Sequence, residues 1–305
     1  MKSLLSDKSF RIAAIVSFSF LATGFALLHF GLIAYGWAFF ILLPIVTGLA
    51  IGALPSVKWA YAGLGVSLFI FVFLLLVGQL EGMVCVLMAL PLIISCLFLA
   101  SVVAMLVKRR QQHLGERNRL SMLALPFAVF LLSAPIEKAI SDEPSTLSVR
   151  TDILLPYSPQ QVYEQIKSVD TLDAPKPFLL RIGLPVPQKC ILEQEAVGAR
   201  RTCYFSGGQI VERVTELRPG EILRMDVVSY QLTGRKWLGF KEAIYLFEQV
   251  GEHQTKLSRI TTYTSELKPR AYWEPLERAG IDQEHEYVFR NLEQDLTRAY
   301  GKSAK

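Results

Sequence analysis

Charged side chains are scarce in the first 140 residues of this 305-residue chain, which hold ten Lys/Arg and four Asp/Glu against 22 and 23 in the remainder. Segments so poor in charge and so rich in Leu, Phe, Ile and Val argue against an entirely soluble protein. Chemistry-bearing motifs are missing too. No CxxC, HExxH, GxSxG, Walker loop or dinucleotide fingerprint occurs, so the usual signatures of metal, hydrolytic and nucleotide-dependent catalysis are absent. No metal site and no cofactor are expected. Four cysteines are too few for a disulfide framework. The net charge of +5 arises in the first half, at +6, while the second half stands at −1. Without a phosphate-neutralising basic cluster there, nucleic acid is not an expected partner.

What the first half does contain is a series of apolar segments. A hydrocarbon core ~30 Å thick takes about 20 helical residues to cross. Residues 12–30, 37–54, 59–77 and 83–107 meet that need, the last interrupted only by Pro91. Residues 120–136 sit at the lower limit and carry Pro126 and Pro135. The spacing therefore predicts a membrane region, residues 1–140, of four to five transmembrane helices. A cleaved signal peptide is disfavoured, because the first run is too long and further spans follow. Lys2, Lys8 and Arg11 precede the first segment, Lys58 separates the second and third, and Lys108, Arg109, Arg110, Arg117 and Arg119 separate the fourth and fifth. The alternate loops hold only Glu81. Basic loops stay in the cytoplasm, so the N-terminus is expected inside. Five crossings then leave the C-terminal domain outside the cytoplasmic membrane, and four leave it inside; we expect five. Span cores carry no charge, which gives no sign of transport, and His29 reads as interfacial. The region is expected to anchor the protein in the bilayer or to bind a membrane protein partner.

From Thr146 the pattern turns to alternation: Val149, Thr151, Ile153 and Leu155 against Arg150, Asp152 and Leu154. Ser158-Pro159 is placed to cap a short helix over 160–168. The four prolines of 174–187 exclude a regular element there. Strands are predicted near 190–197, 200–206, 209–218, 221–229, 239–250 and 254–266, with turns at Gly198, Gly207-Gly208, Pro219-Gly220, Thr233-Gly234 and Gly251. A helix from about Trp273 to Ala299 closes the chain. Its apolar stripe is Ile281, His285, Val288, Leu292, Leu296 and Ala299.

This layout, the segment Ile153-Leu-Leu-Pro-Tyr-Ser-Pro-Gln-Gln-Val-Tyr163 and the block Gly198 to Gly220 resemble the START-like helix-grip superfamily, which includes Bet v 1-like and polyketide cyclase-like proteins. The resemblance covers residues 146–301 and implies an α+β domain, an antiparallel sheet wrapped on a long C-terminal helix. It also implies a cavity for an apolar molecule. The expected function is a membrane-anchored, non-catalytic binding domain for a lipid, quinone or other apolar small molecule. Two alternatives stay open. One is a cyclase- or aromatase-like enzyme using a cavity His or Tyr, and the other a protein-interaction module whose pocket its own side chains fill.

Candidate ligand-binding residues are Phe205, Met225, Tyr245, Tyr263, Trp273, Arg259 and His285. Strand parity lets Arg259 face inward, paired with Glu212 or Glu242, where it could clamp an anionic head group. His285 lies on the helix stripe, with Glu284 and Glu286 facing elsewhere, while His253 sits in a solvated turn. Cys190 and Cys203 could pair if their domain is outside the cytoplasm; Cys85 and Cys96 read as small apolar residues. Two loops, Phe178–Leu184 and Arg235–Phe240, could meet the bilayer as a lid.

Overall fold

A computed structural model describes residues 7–111, 119–141, 143–232 and 237–301. The chain divides into two compact units, one formed mainly by residues before Glu143 and one by Pro144–Ser265 with the residues from Tyr272 onward.

The first unit holds five helical segments: α1 (Lys8–His29), a π-helical turn Ala38–Leu42 leading into α2 (Leu43–Gly52), α3 (Val57–Val77), α4 (Met83–Gln111) and α5 (Arg119–Ile140). Among the described residues, three helices are long and apolar enough to cross a membrane: Lys8–His29, Val57–Val77 and Met83–Arg109. This narrows the expected four to five. The second expected segment forms a helix over Ala38–Gly52 only. At 1.5 Å per residue its fifteen residues rise about 22 Å, short of a ~30 Å core. The fifth lies in α5, part of which falls outside the fully described residues.

Small residues let these helices approach. A methyl group added at Gly48 would sit 2.3 Å from the Leu97 carbonyl oxygen, and one at Gly52 the same distance from that of Ser101. Ala100 and Ala104 line the facing side. This pairing of small residues four apart is how helices pack where no hydrophobic driving force operates between them. Gly48→Leu is therefore expected to destabilise the bundle by at least 1–3 kcal/mol, the usual range for overpacking, read as a lower melting temperature of the full-length protein in detergent.

The ends of the bundle differ in charge. The Ser56 N–H donates to Ser9 Oγ at 3.2 Å, and Lys108 Nζ donates to the Leu54 carbonyl at 2.7 Å. These contacts gather the basic groups around Lys8, Lys58 and Lys108 at one end. At the other, the Trp37 and Ala38 N–H groups donate to the two carboxylate oxygens of Glu137, each at 2.8 Å. The carboxylate satisfies N–H groups that a helix start leaves unpaired. A Cβ at Gly36 would fall on this carboxylate and displace it from the two N–H groups. A groove of about 260 Å³ runs next to this cap, lined by Ile41, Leu42, Ile45 and Ser133 among others.

The second unit is a seven-stranded antiparallel sheet with a long helix, the helix-grip arrangement. Its strands are β1 (Ser145–Leu155), β2 (Pro187–Leu192), β3 (Arg200–Phe205), β4 (Gly208–Arg218), β5 (Ile222–Leu232), β6 (Leu238–Gly251) and β7 (Gln254–Ser265), in the order β1-β7-β6-β5-β4-β3-β2. Helix α6 (Pro159–Ile166) carries the expected cap in full: Ser158 and Gln161 form a capping box, with Pro159 at the first position. The proline-rich stretch is less irregular than expected, because Phe178–Arg181 forms a one-turn helix, α7. Helix α8 (Arg270–Tyr300) closes the unit. Its stripe holds from Ile281 to Leu296, but Ala299 is exposed.

Odd-numbered residues of β1 and β7 face α8, and Val149, Leu155, Leu257 and Tyr263 are buried there. One apolar cluster joins Val288, Phe289, Leu292 and Leu296 of α8 to Leu223, Met225, Tyr245, Phe247 and the buried face of α6. A second, nearer the start of α8, contains Val149, Leu238 and Tyr263, with Phe240 and Ile281 packed on it. Each large side chain fully buried in them contributes about 1.5–3 kcal/mol.

Candidate functional site

Polar side chains lie inside the unit at the level of Tyr245. Arg201 and Glu212 sit opposite each other on β3 and β4, and their side chains meet at 2.9 Å. The Arg201 guanidinium also donates to the carbonyls of Lys167 and Ile166, at 3.0 and 3.2 Å. Those carbonyls end helix α6, so one side chain caps a helix and neutralises a buried carboxylate. Across the interior, Arg259 of β7 pairs with Glu284 of α8 at 3.0 Å. Both guanidinium groups lie over the Tyr245 ring, 5.8 and 5.5 Å from its centre, within cation–π range.

His285 is also in this layer and fully buried. Its Nδ1 lies 2.8 Å from Thr151 Oγ1 and its Nε2 lies 2.7 Å from Thr261 Oγ1. Thr151 donates its single hydroxyl proton to Asp282 at 2.6 Å. It must then accept from the ring, which places the imidazole proton on Nδ1 and leaves Nε2 to accept from Thr261. Burial, with the charge of Arg259 nearby, pushes the His285 pKa well below its ordinary value of 6.5. The ring is neutral and both nitrogens are engaged.

That arrangement carries a pH dependence. With the folded pKa depressed, the unfolded chain takes the extra proton, so the contribution is complete above about pH 6.5 and is lost as pH falls below it. Glu284 has the opposite sign: burial raises its carboxyl pKa, with Arg259 offsetting only part, so acid relieves the cost of burying that group. Between pH 7.5 and 5.5 the histidine alone is expected to remove about 1 kcal/mol of stability. Denaturant unfolding of the full-length protein across that range checks this, and His285→Gln should abolish the histidine's share.

The structure brings together four of the expected residues. Tyr245 and Arg259 stand opposite on β6 and β7, Met225 pairs with Ala243 beside them, and His285 binds Thr261. The rest lie apart. Trp273 is twelve residues before His285, about 18 Å along the helix, and its ring meets Tyr272 edge to face. Tyr263 is buried and donates to Glu277, which also accepts from Ser265 at 2.7 Å. Phe205 ends β3, about 13 Å from Arg201 along the strand.

Two expectations are corrected here. Arg259 pairs with neither Glu212 nor Glu242, because Arg201 holds the first and Arg224 the second. Glu284 faces inward, not away: Ile281, Glu284, His285 and Val288 follow the i, i+3, i+4, i+7 spacing of one helix face. The lid expectation changes as well. Leu180 is buried against Ala174, Val186 and Tyr287, while Phe178 stays 58% exposed. In the other loop, residues 235 and 236 lie outside the described residues, and Leu238 is buried. Cys190 and Cys203, paired opposite on β2 and β3, form a disulfide.

Inward-facing Phe205, Val227, Phe240 and Ile281 are only half-buried, and Arg259 and Glu284 keep 12 and 17% of their side-chain surface exposed. Apolar walls with a few convergent polar groups are the usual make-up of a small-molecule site.

No protein-family model matches the sequence, and no curated protein matches it significantly. Solved structures do resemble the C-terminal half. The Zhui aromatase/cyclase from Streptomyces sp. R1128 is 13% identical over 53% of this chain and all of its own, with a TM-score of 0.38. A START superfamily protein from Mycobacterium smegmatis is 9% identical over 50% of this chain and 98% of its own, also at 0.38. Norcoclaurine synthase from Thalictrum is 11% identical over 52% of this chain and 99% of its own, at 0.36.

Proposed function

We propose that this is a multi-pass membrane protein whose C-terminal helix-grip domain binds an amphipathic small molecule such as a lipid or quinone, without transforming it. The observation that carries the reading is the Arg259–Glu284 pair, an ion pair set among half-buried apolar side chains with one guanidinium N–H left without an acceptor among the described residues. Such a setting offers an apolar body its walls and a polar group its partner. Of the catalytic alternative, the version that uses His285 as acid/base has less support, since both of its ring nitrogens are committed to threonines.

Two independent features support an extracytoplasmic domain. The basic end of the bundle is the end expected in the cytoplasm, and α5 leaves the bundle at the opposite end, beside Glu137. The Cys190–Cys203 disulfide fits an oxidising compartment. Tethering beside the bilayer would hold the pocket where apolar ligands are concentrated.

Native mass spectrometry of the full-length protein, extracted from its own membrane, is expected to release about one small molecule per chain. Ile281→Trp, which adds bulk one helical turn before Glu284, should eliminate it. A chain that is empty after every gentle extraction would overturn the reading. A reporter enzyme active only outside the cytoplasm, fused after Lys305, should be active; an inactive fusion at normal expression would reverse the topology.

A further inference from the structure

The two Arg–carboxylate pairs of this interior are built differently. Arg201 has three acceptors, and its side chain and that of Glu212 are 3 and 9% exposed. That pair is sealed and structural. Arg259 has one carboxylate partner, its Nε–H meets no acceptor, and among the described residues Glu284 hydrogen-bonds only to Arg259. A pair with one set of bonds and one guanidinium N–H unsatisfied is one that a competing acceptor can take apart.

Charge balance says what kind of ligand. Glu284 is faced by Arg259 from β7, Tyr245 from β6, Glu212 from β4 and Arg201 from β3, with neutral His285 next to it on α8. These two cations and two carboxylates balance one another, and Asp282 of the same helix is bonded to Thr151. Neutralising Glu284 would leave one guanidinium uncompensated, a vacancy for a single negative charge in a setting where an unpaired ion is strongly disfavoured. Burial raises its carboxyl pKa and the like charge of Glu212 adds to the effect, while Arg259 and Arg201 oppose it; losing Arg259 to a ligand removes the larger of those two.

We propose, building on the binding function above, that the ligand is an acid, an apolar body ending in one carboxylate or similar anion, which replaces Glu284 on Arg259 while Glu284 takes up one proton. The incoming oxygens accept the N–H bonds that Glu284 gives up. Glu284 receives its proton from solvent, and since one anion and one proton enter together the net charge of the site is unchanged. The pocket therefore distinguishes an acid from an alcohol of the same length.

The test uses the full-length protein in detergent, with decanoate and decanol as probes, and isothermal calorimetry in two buffers of different ionisation enthalpy. Decanoate is expected to bind at least tenfold tighter than decanol, with uptake of about one proton per site. Glu284→Gln, which keeps the shape and removes the competing charge, should bind decanoate about tenfold more tightly with no proton uptake. The paired change Arg259→Met with Glu284→Leu, which leaves no charge unpaired, should bind decanol as before and lose the preference for decanoate. Equal binding of acid and alcohol, or acid binding without proton uptake, would overturn this inference and leave the binding function standing. Binding of neither probe would overturn both.

Discussion

Replacing Arg201 by Met is expected to be the most damaging single change in the C-terminal unit, costing about 3–5 kcal/mol, the usual loss when one partner of a buried ion pair is removed. Glu212 would lose its only ion-pair partner among the described residues, with Arg259 nearby already engaged by Glu284, and the terminal carbonyls of α6 would lose both of their guanidinium donors. A loss of that size is a large part of the stability of an ordinary domain. Near-UV circular dichroism during thermal melting of the full-length protein would register it as a much lower transition or none. The double change Arg201→Met with Glu212→Leu should recover most of the loss, because an apolar pair of similar volume carries no desolvation cost. If the double variant is as unstable as the single one, the helix-capping bonds outweigh the ion pair.

The second large effect concerns the disulfide. Cys190 and Cys203 are 13 residues apart in sequence, and closing a loop of that size in the unfolded chain stabilises by about 3 kcal/mol in the chain-entropy view. Reductant should therefore lower the melting temperature of the wild-type protein and leave that of Cys190→Ala with Cys203→Ala unchanged. Alkylation before and after reduction, on protein prepared without reductant, should expose two further thiols only after reduction. Finding all four cysteines reactive at the outset would remove one of the two supports for an extracytoplasmic domain.

Much of the second unit could be read in advance, and the reasons are local. Glycine and proline pairs marked most turns between strands, and alternation over Val149–Leu155 matched the face turned to α8. Ser158-Pro159 marked the cap of α6, which begins at Pro159 where 160 was expected and ends at Ile166, two residues short of the expected end. The membrane half was harder, because an apolar composition does not state where a helix begins. Gly31 to Gly36 and the π turn at Ala38 shortened a segment that hydropathy alone made full length.

The site was half legible. Arg259 and His285 stood out as polar residues on apolar faces, yet their partners were misplaced. Glu284, expected to face elsewhere as a sequence neighbour of His285, lies on the buried face that the spacing from Ile281 to Val288 defines. Arg201 shares the parity of Cys203 and Phe205, which would have turned it inward, but a strand beginning Arg200-Arg201 reads as a solvated edge. Pairing across a sheet is a non-local property, so parity could nominate these residues and not match them to one another.

The Glu137 clasp has a consequence for the stretch that follows it. The carboxylate stands in the last turn of α5, three residues short of the helix end, and each residue of an α-helix turns its neighbours by about 100°. A single residue inserted between Ala134 and Glu137 would swing the carboxylate away from Trp37 and Ala38. The same insertion placed after Ile140 would leave it untouched. Length in the connector between the two halves is therefore free to vary only beyond that point.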